Sequence, residues 1–114
     1  MSADCLFCKI AAKQIAAKIV YEDPEIFVFE DIAPQAPTHL LICPRKHIAS
    51  LEDAADGDEV MLGRLQTVAA KLARQRNLVE GYRTVINTGP GAGQSVLHVH
   101  LHLLGGRSLR WPPG

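Results

Sequence analysis

Five histidines occur in 114 residues, and three of them, His98, His100 and His102, alternate with Val99, Leu101 and Leu103 in one stretch. An extended backbone has a side-chain period of two, so the imidazoles share one face and the aliphatic residues the other, whereas a helix would scatter them. Same-face neighbours on a strand stand about 7 Å apart, which separates His98 from His102 by about 13 Å at the backbone. One ion that holds its imidazole nitrogens at about 2 Å is therefore disfavoured for all three rings, although two of them could share one. A lone strand histidine is usually a hydrogen-bonded structural residue; three in strict alternation fit that reading poorly. Imidazole has a free pKa of about 6.5 and is mostly neutral near pH 7, so nucleophilic and acid–base chemistry leads.

The elements that must position this strand follow from periodicity. Residues 5–13 carry apolar residues at helical spacing and read as a short helix, with Asp4 as its cap. Residues 19–22 and 25–31 read as a hairpin turning at Asp23-Pro24. In its second strand Phe27, Phe29 and Asp31 share a face. Pro34 and Pro37 make a connector, and residues 38–43 form a third strand ended by Pro44. Residues 58–76 read as the one long helix, with Met61, Leu62, Leu65, Val68, Ala69, Leu72 and Ala73 on one stripe and Gly63 inside it, open to close approach by a neighbour. Residues 82–87 form a fourth strand, joined to the histidine strand (96–104) by a glycine-rich loop. That loop matches neither the P-loop nor the dinucleotide fingerprint. Its place at the start of the histidine strand would still bring the backbone amides of Gly93 and Gln94 and the Ser95 hydroxyl to phosphate oxygens. The fold class expected is α+β, an antiparallel sheet of about five strands with one long and one short helix, in a single domain over residues 1–114. An edge strand and apolar surface would remain open, to be covered by a twofold dimer that continues the sheet.

Twelve basic residues balance twelve acidic ones. Neither a nucleic-acid backbone nor an acidic membrane is the expected partner, and Arg45-Lys46-His47 reads as a solvated turn. Three cysteines, no apolar run long enough to span a membrane and a terminus (Met1-Ser2-Ala3-Asp4) without secretory character place the chain in the cytoplasm with reduced thiols. Cys5-x-x-Cys8 is by itself a weak signal, but His47 and His98 would complete a Cys2His2 set for structural zinc.

His98-Val-His-Leu-His-Leu-Leu104 resembles the signature of the histidine triad (HIT) superfamily, and Gly105-Gly106-Arg107 with Trp111-Pro112-Pro113-Gly114 resembles its Hint branch. The likeness extends to Phe7-Cys8-Lys9-Ile10, Pro34-Gln-Ala-Pro-Thr-His39 and Gly93-Gln-Ser95, and so covers nearly the whole chain. It implies a purine nucleoside phosphoramidate hydrolase that releases a nucleoside 5'-monophosphate, AMP first among them, through a nucleotidylated histidine, with no cofactor required. The resemblance assigns the nucleophile to His100. His102 and Asn87, with the Gly93 amide, are placed to stabilise phosphoryl charge, and Ser95 to protonate the leaving amine. Crowding by His98 and His102 should keep His100 unprotonated. His39 supports the triad from the adjacent strand. Phe7, Ile15, Phe29 and Ile32 would bound the base and Asp31 would take the ribose hydroxyls. Residues 107–114, Trp111 included, would dock near the active site of the partner copy, and in some relatives Cys5, Cys8, His47 and His98 hold zinc. Two other readings stand beside this one: cleavage of dinucleoside polyphosphates, as in another HIT branch, and a zinc-stabilised nucleotide-binding adaptor without important turnover.

Overall fold

The computed structural model describes residues 4–114; Met1, Ser2 and Ala3, part of the terminus read above for a leader, lie outside the described residues. The elements are α1 (Leu6–Ala11), β1 (Ile19–Glu22), β2 (Ile26–Glu30), β3 (Thr38–Pro44), α2 (Glu59–Gln75), β4 (Tyr82–Val85) and β5 (Leu101–Gly105). The strands form one five-stranded antiparallel sheet in the order β1-β2-β3-β5-β4, as expected in class and strand count. β3 lies at its centre, where its seven residues are all buried.

Strand alternation divides the core in two. Ile26, Val28, Leu40, Ile42, Val99, Leu101 and Leu103 face α2 and pack on Met61, Leu65, Val68, Ala69, Leu72 and Ala73. Phe27, Phe29, Leu41 and Cys43 face the other way and are covered by α1 through Phe7, Cys8 and Ile10. Because Leu41 pairs with His102 and Phe29 with Leu41, the triad shares this second face. The long helix thus packs the rear of the sheet and leaves the front to the short one.

Helix α2 closes in a left-handed residue, Asn77 (φ 57°), with the Leu78 amide bonded to the Ala73 carbonyl at 3.0 Å. That pattern satisfies carbonyls the helix end would otherwise leave open. At the helix's side, Arg64 donates to Asp23 and Glu25, both at 2.8 Å, and fastens α2 to the turn between β1 and β2.

Four local expectations are corrected. The side chain that caps α1 is Cys5, whose sulfur accepts from the Cys8 amide at 3.3 Å; Asp4 makes no such bond. Gly63 lies on the exposed side of α2, outside the buried stripe. The segment 45–47 bends as expected and exposes Lys46, but it is only in part a solvated turn. Arg45 donates to the carbonyls of Asp23 and Ala11, Lys46 pairs with the buried Asp58 at 2.6 Å, and His47 turns inward to Cys8. The histidine strand is also shorter than its pattern: ladder pairing begins at Leu101, and the approach to it carries His98 at the end of a bend over 96–98, its amide on the Val96 carbonyl at 2.9 Å, and then His100. That approach is held instead by the Val99 amide on the Ile48 carbonyl at 2.7 Å. Side-chain alternation nevertheless persists through it, since Val99 packs toward α2 while His98 contacts Phe7 and Phe27.

Candidate active site

Each of the three triad rings has a hydrogen bond that settles which nitrogen carries its proton. His98 Nε2 donates to the Pro44 carbonyl at 2.7 Å, so the lone pair of the neutral ring sits on Nδ1. His100 Nδ1 donates to the carbonyl of His98 at 2.7 Å, which leaves its lone pair on Nε2. The third ring is set from outside the triad. The Gln35 amide donates to His39 Nδ1 at 3.0 Å, so His39 must carry its proton on Nε2 and give it to His102 Nδ1 at 2.9 Å. His102 is then left with Nε2–H as a donor. The site therefore pairs one ring with an open lone pair and one with an outward N–H, their centroids 5.0 Å apart.

All of these rings are kept neutral. Burial pushes His100 below the ordinary imidazole value, opposed by its bond to the His98 carbonyl and by Asp31. Burial, rather than the expected crowding, is the leading cause at His100; the opposition between His100 and its neighbours shows in the lowering of His98 and His102. His102 is pushed down to about 4, first by burial and then by His100 and His39. His39 is also lowered by burial, against the pull of Asp31, whose carboxylate lies 3.5 Å from its Nε2.

The remaining expected residues fall into two groups. Phe7 is buried against His100 (5.0 Å, edge-on) and against Phe29 (5.2 Å), so these two aromatic rings line the same side of the sheet as His100. Ile15 is exposed at 38% and Ile32, next to Asp31 in the chain, at 100%. Asp31 accepts from the Ala33 amide at 2.8 Å through one oxygen. Asn87 is half-buried, and Ser95 is exposed and makes no hydrogen bond among the described residues. The amides of Gly93 and Gln94, expected to face phosphate, are instead spent inside the loop on the Pro90 and Gly89 carbonyls. The buried Gln94 side chain likewise bonds Ala49, Val96 and Gly89 and holds the loop in shape. Gly93 has φ 88°, a conformation in which a side chain is strained. Trp111 is 83% exposed, and Arg83 holds its neighbour Arg110 by the carbonyl at 2.9 Å. A cleft of about 690 Å³ lies away from the triad, between residues 77–83 and 106–109 at the β4 edge.

Cys5, Cys8, His47 and His98 present their sulfur and nitrogen atoms to one another within 4.8 Å. A tetrahedral zinc site would place sulfur and nitrogen about 3.5 Å apart and two nitrogens about 3.3 Å apart. The distances here are 3.3 and 3.6 Å from His98 Nδ1 to Cys5 and Cys8, 3.4 Å from His47 Nδ1 to Cys8, and 3.3 Å between the two Nδ1 atoms. The donor set fits zinc, and the His98 Nε2–H on Pro44 is the orienting bond that metal-binding histidines usually make. Asp31, His39 and His102 also converge within 4.8 Å. With the Gln35 amide on His39 Nδ1, however, a metal at Nε2 would demand an imidazolate, so this second group is a hydrogen-bonded relay.

Sequence reasoning missed Gln35 and Arg107. The first acts through its backbone amide, which no side-chain pattern reveals; the second donates from Nε to the Gln35 carbonyl at 2.8 Å.

The HIT domain family model matches residues 12–109. An uncharacterized HIT-like protein of Synechococcus elongatus is 54% identical over the full length of both chains. Among solved structures, a HIT family hydrolase from Legionella pneumophila is 55% identical with a TM-score of 0.95, over 97% of this chain and 100% of that one. A histidine triad protein from Clostridium difficile is 38% identical with a TM-score of 0.93, over 96% of each chain. A histidine triad nucleotide-binding protein from Candida albicans is 34% identical with a TM-score of 0.81, over 96% of this chain and 83% of the other. With its imidazoles on one sheet face and the family pattern running from residue 12 to residue 109, the chain belongs to the HIT domain family.

Proposed function

We propose that this HIT protein is a purine nucleoside phosphoramidate hydrolase of the Hint branch, releasing AMP or a related nucleoside monophosphate. The observation that carries the reading is the bond from His100 Nδ1 to the His98 carbonyl, which leaves Nε2 as a lone pair in a ring that burial keeps neutral. Nε2 attacks phosphorus, the phosphorus–nitrogen bond breaks, and the leaving amine takes a proton from the Ser95 hydroxyl. Water then displaces the nucleotidyl group from His100: its oxygen bonds phosphorus as the His100–phosphorus bond breaks, and its proton goes to the Ser95 alkoxide, restoring the hydroxyl. The His102 Nε2–H and the Asn87 amide stabilise charge on the phosphoryl oxygens throughout. Phe7 and Phe29 support the base from beneath, Ile15 and Ile32 flank it at the rim, and Asp31 accepts from the ribose hydroxyls. Gly93 and Gln94 act by shaping the loop that presents Ser95.

Zinc, when bound by Cys5, Cys8, His47 and His98, would clip α1 to the approach of the histidine strand and would take no part in the bond changes. The edge strand β4 and the exposed Val79 and Tyr82 are the surface on which a second copy would continue the sheet, with Trp111 of the exposed tail docking near the partner's site. No helix among the described residues is long and apolar enough to cross a membrane, and a cytoplasmic setting suits the unoxidised cysteines.

A fluorogenic adenosine phosphoramidate tests the function directly. Amine release that resists a chelator and disappears in His100→Ala, while AMP still binds the variant, is the expected outcome. Turnover persisting in His100→Ala would remove that residue from its role, and no release from the unmodified chain would favour a nucleotide-binding adaptor.

A further inference from the structure

We infer that Arg107, which lies outside the triad and on the surface, is a positioning residue that fixes the protonation pattern of the site through the connector at residues 31–38. The inference rests on the reading of His102 as the donor to the phosphoryl oxygens. Two contacts press the end of β5 onto that connector. Gly106 adopts φ 92°, and a Cβ there would stand 2.9 Å from Pro37 Cβ, so the absence of a side chain is what permits the approach. One residue on, Arg107 Nε donates to the Gln35 carbonyl at 2.8 Å while its guanidinium also bonds the Ser108 carbonyl at 2.9 Å.

The two peptide units flanking the Gln35 Cα are thereby held from opposite sides. The unit after it is fixed by Arg107, and the unit before it is the one whose N–H meets His39 Nδ1 at 3.0 Å. Among the described residues the connector's other polar ties are Gln35 Nε2 on the Ala33 carbonyl, the Ala33 amide on Asp31, the Asp31 amide on the His39 carbonyl and the Asp31 carboxylate 3.5 Å from His39 Nε2, and its last residue, Thr38, pairs with Gly105 of β5. Releasing Arg107 lets the Gln35 amide leave His39 Nδ1. His39 is then able to carry its proton on Nδ1 and offer Nε2 to His102 as a lone pair. His102 must answer by donating from Nδ1, which turns a lone pair instead of an N–H toward the phosphoryl group. A surface guanidinium thus decides the sign of the polar contact made two rings away.

Ring-¹⁵N-labelled histidine and the long-range proton–nitrogen spectrum read this without substrate. The unmodified protein is expected to show one tautomer at His39 and one at His102. Arg107→Met should give mixed tautomers at both, a kcat lowered about fivefold with KM little changed, and an unfolding midpoint near that of the parent, since the side chain is exposed. Arg107→Lys, which restores a charged donor, should recover most of both effects. Single tautomers retained in Arg107→Met overturn the inference, as does a fall in kcat without any tautomer change. A parent protein with fixed tautomers that hydrolyses no phosphoramidate overturns the proposed function and leaves this inference standing.

Discussion

His39 Nε2 lies 2.9 Å from His102 Nδ1, and the direction of the proton between them is set by a third group, the Gln35 amide on His39 Nδ1. The pair behaves as one unit with a defined polarity. Replacing His39 by Phe keeps a ring in the buried position but removes the donor, so His102 loses its preferred tautomer. The expected result is a kcat lowered about tenfold to a hundredfold with binding of AMP little changed. Steady-state kinetics alongside equilibrium AMP binding separate the two quantities.

A pH effect follows from the buried rings. His102 is pushed down to about 4 and His39 is also lowered, against about 6.5 in an unfolded chain. Between those values the unfolded state binds protons that the folded state refuses, so stability rises with pH across this window. It should fall as pH drops from about 6.5 toward 4 and change less on the alkaline side of neutrality. Denaturant midpoints at stepped pH check the sign, and His39→Phe should flatten the slope.

Protein purified without chelators should carry one zinc per chain, measured by elemental analysis. Cys8→Ser should lower that content and the unfolding temperature together. Each thousandfold excess of free metal over its dissociation constant adds about 4 kcal/mol to the folded state. A chelator that leaves the unfolding temperature unmoved would count against the site.

Leu65 is fully buried where α2 meets the sheet, and Leu65→Ala should cost about 2–5 kcal/mol in urea unfolding. The loss falls on stability, because the triad lies on the opposite face; residual folded protein should keep its kcat.

Sedimentation at micromolar concentration is expected to give a dimer. Val79→Asp, which places a charge beside the exposed β4 edge, should shift it toward monomer.

Much of the fold was legible because its signals are periodic. The stripe in α2 and the alternation in residues 96–104 report which side of an element is apolar, and burial follows from that alone. The start of β5 was not legible, because pairing at His98 and His100 depends on which neighbour's backbone is within reach; there it is Ile48, not a strand partner. The candidate metal-ligand set could be read from four side chains of two types, cysteine and histidine, each type with few members in a chain of this size. Backbone donors are another matter. The Gln35 amide that orients the relay and the Gly93 and Gln94 amides spent inside their loop are identical in kind to every other amide, and only a folded path distinguishes them. The cap of α1 shows the same limit, since Cys5 and Asp4 both offer an acceptor and the path of the chain selects the sulfur.

His98 has its ring nitrogen among two thiols and a second histidine, while its carbonyl oxygen receives the proton of His100. The aim of the His100 ring is therefore inherited, through a single peptide unit, from an anchor of two thiols and a second imidazole, which metal supply and thiol balance would load or loosen if it holds zinc as proposed. On the proposed function, Cys5 and Cys8 would bear on a reaction that neither residue touches.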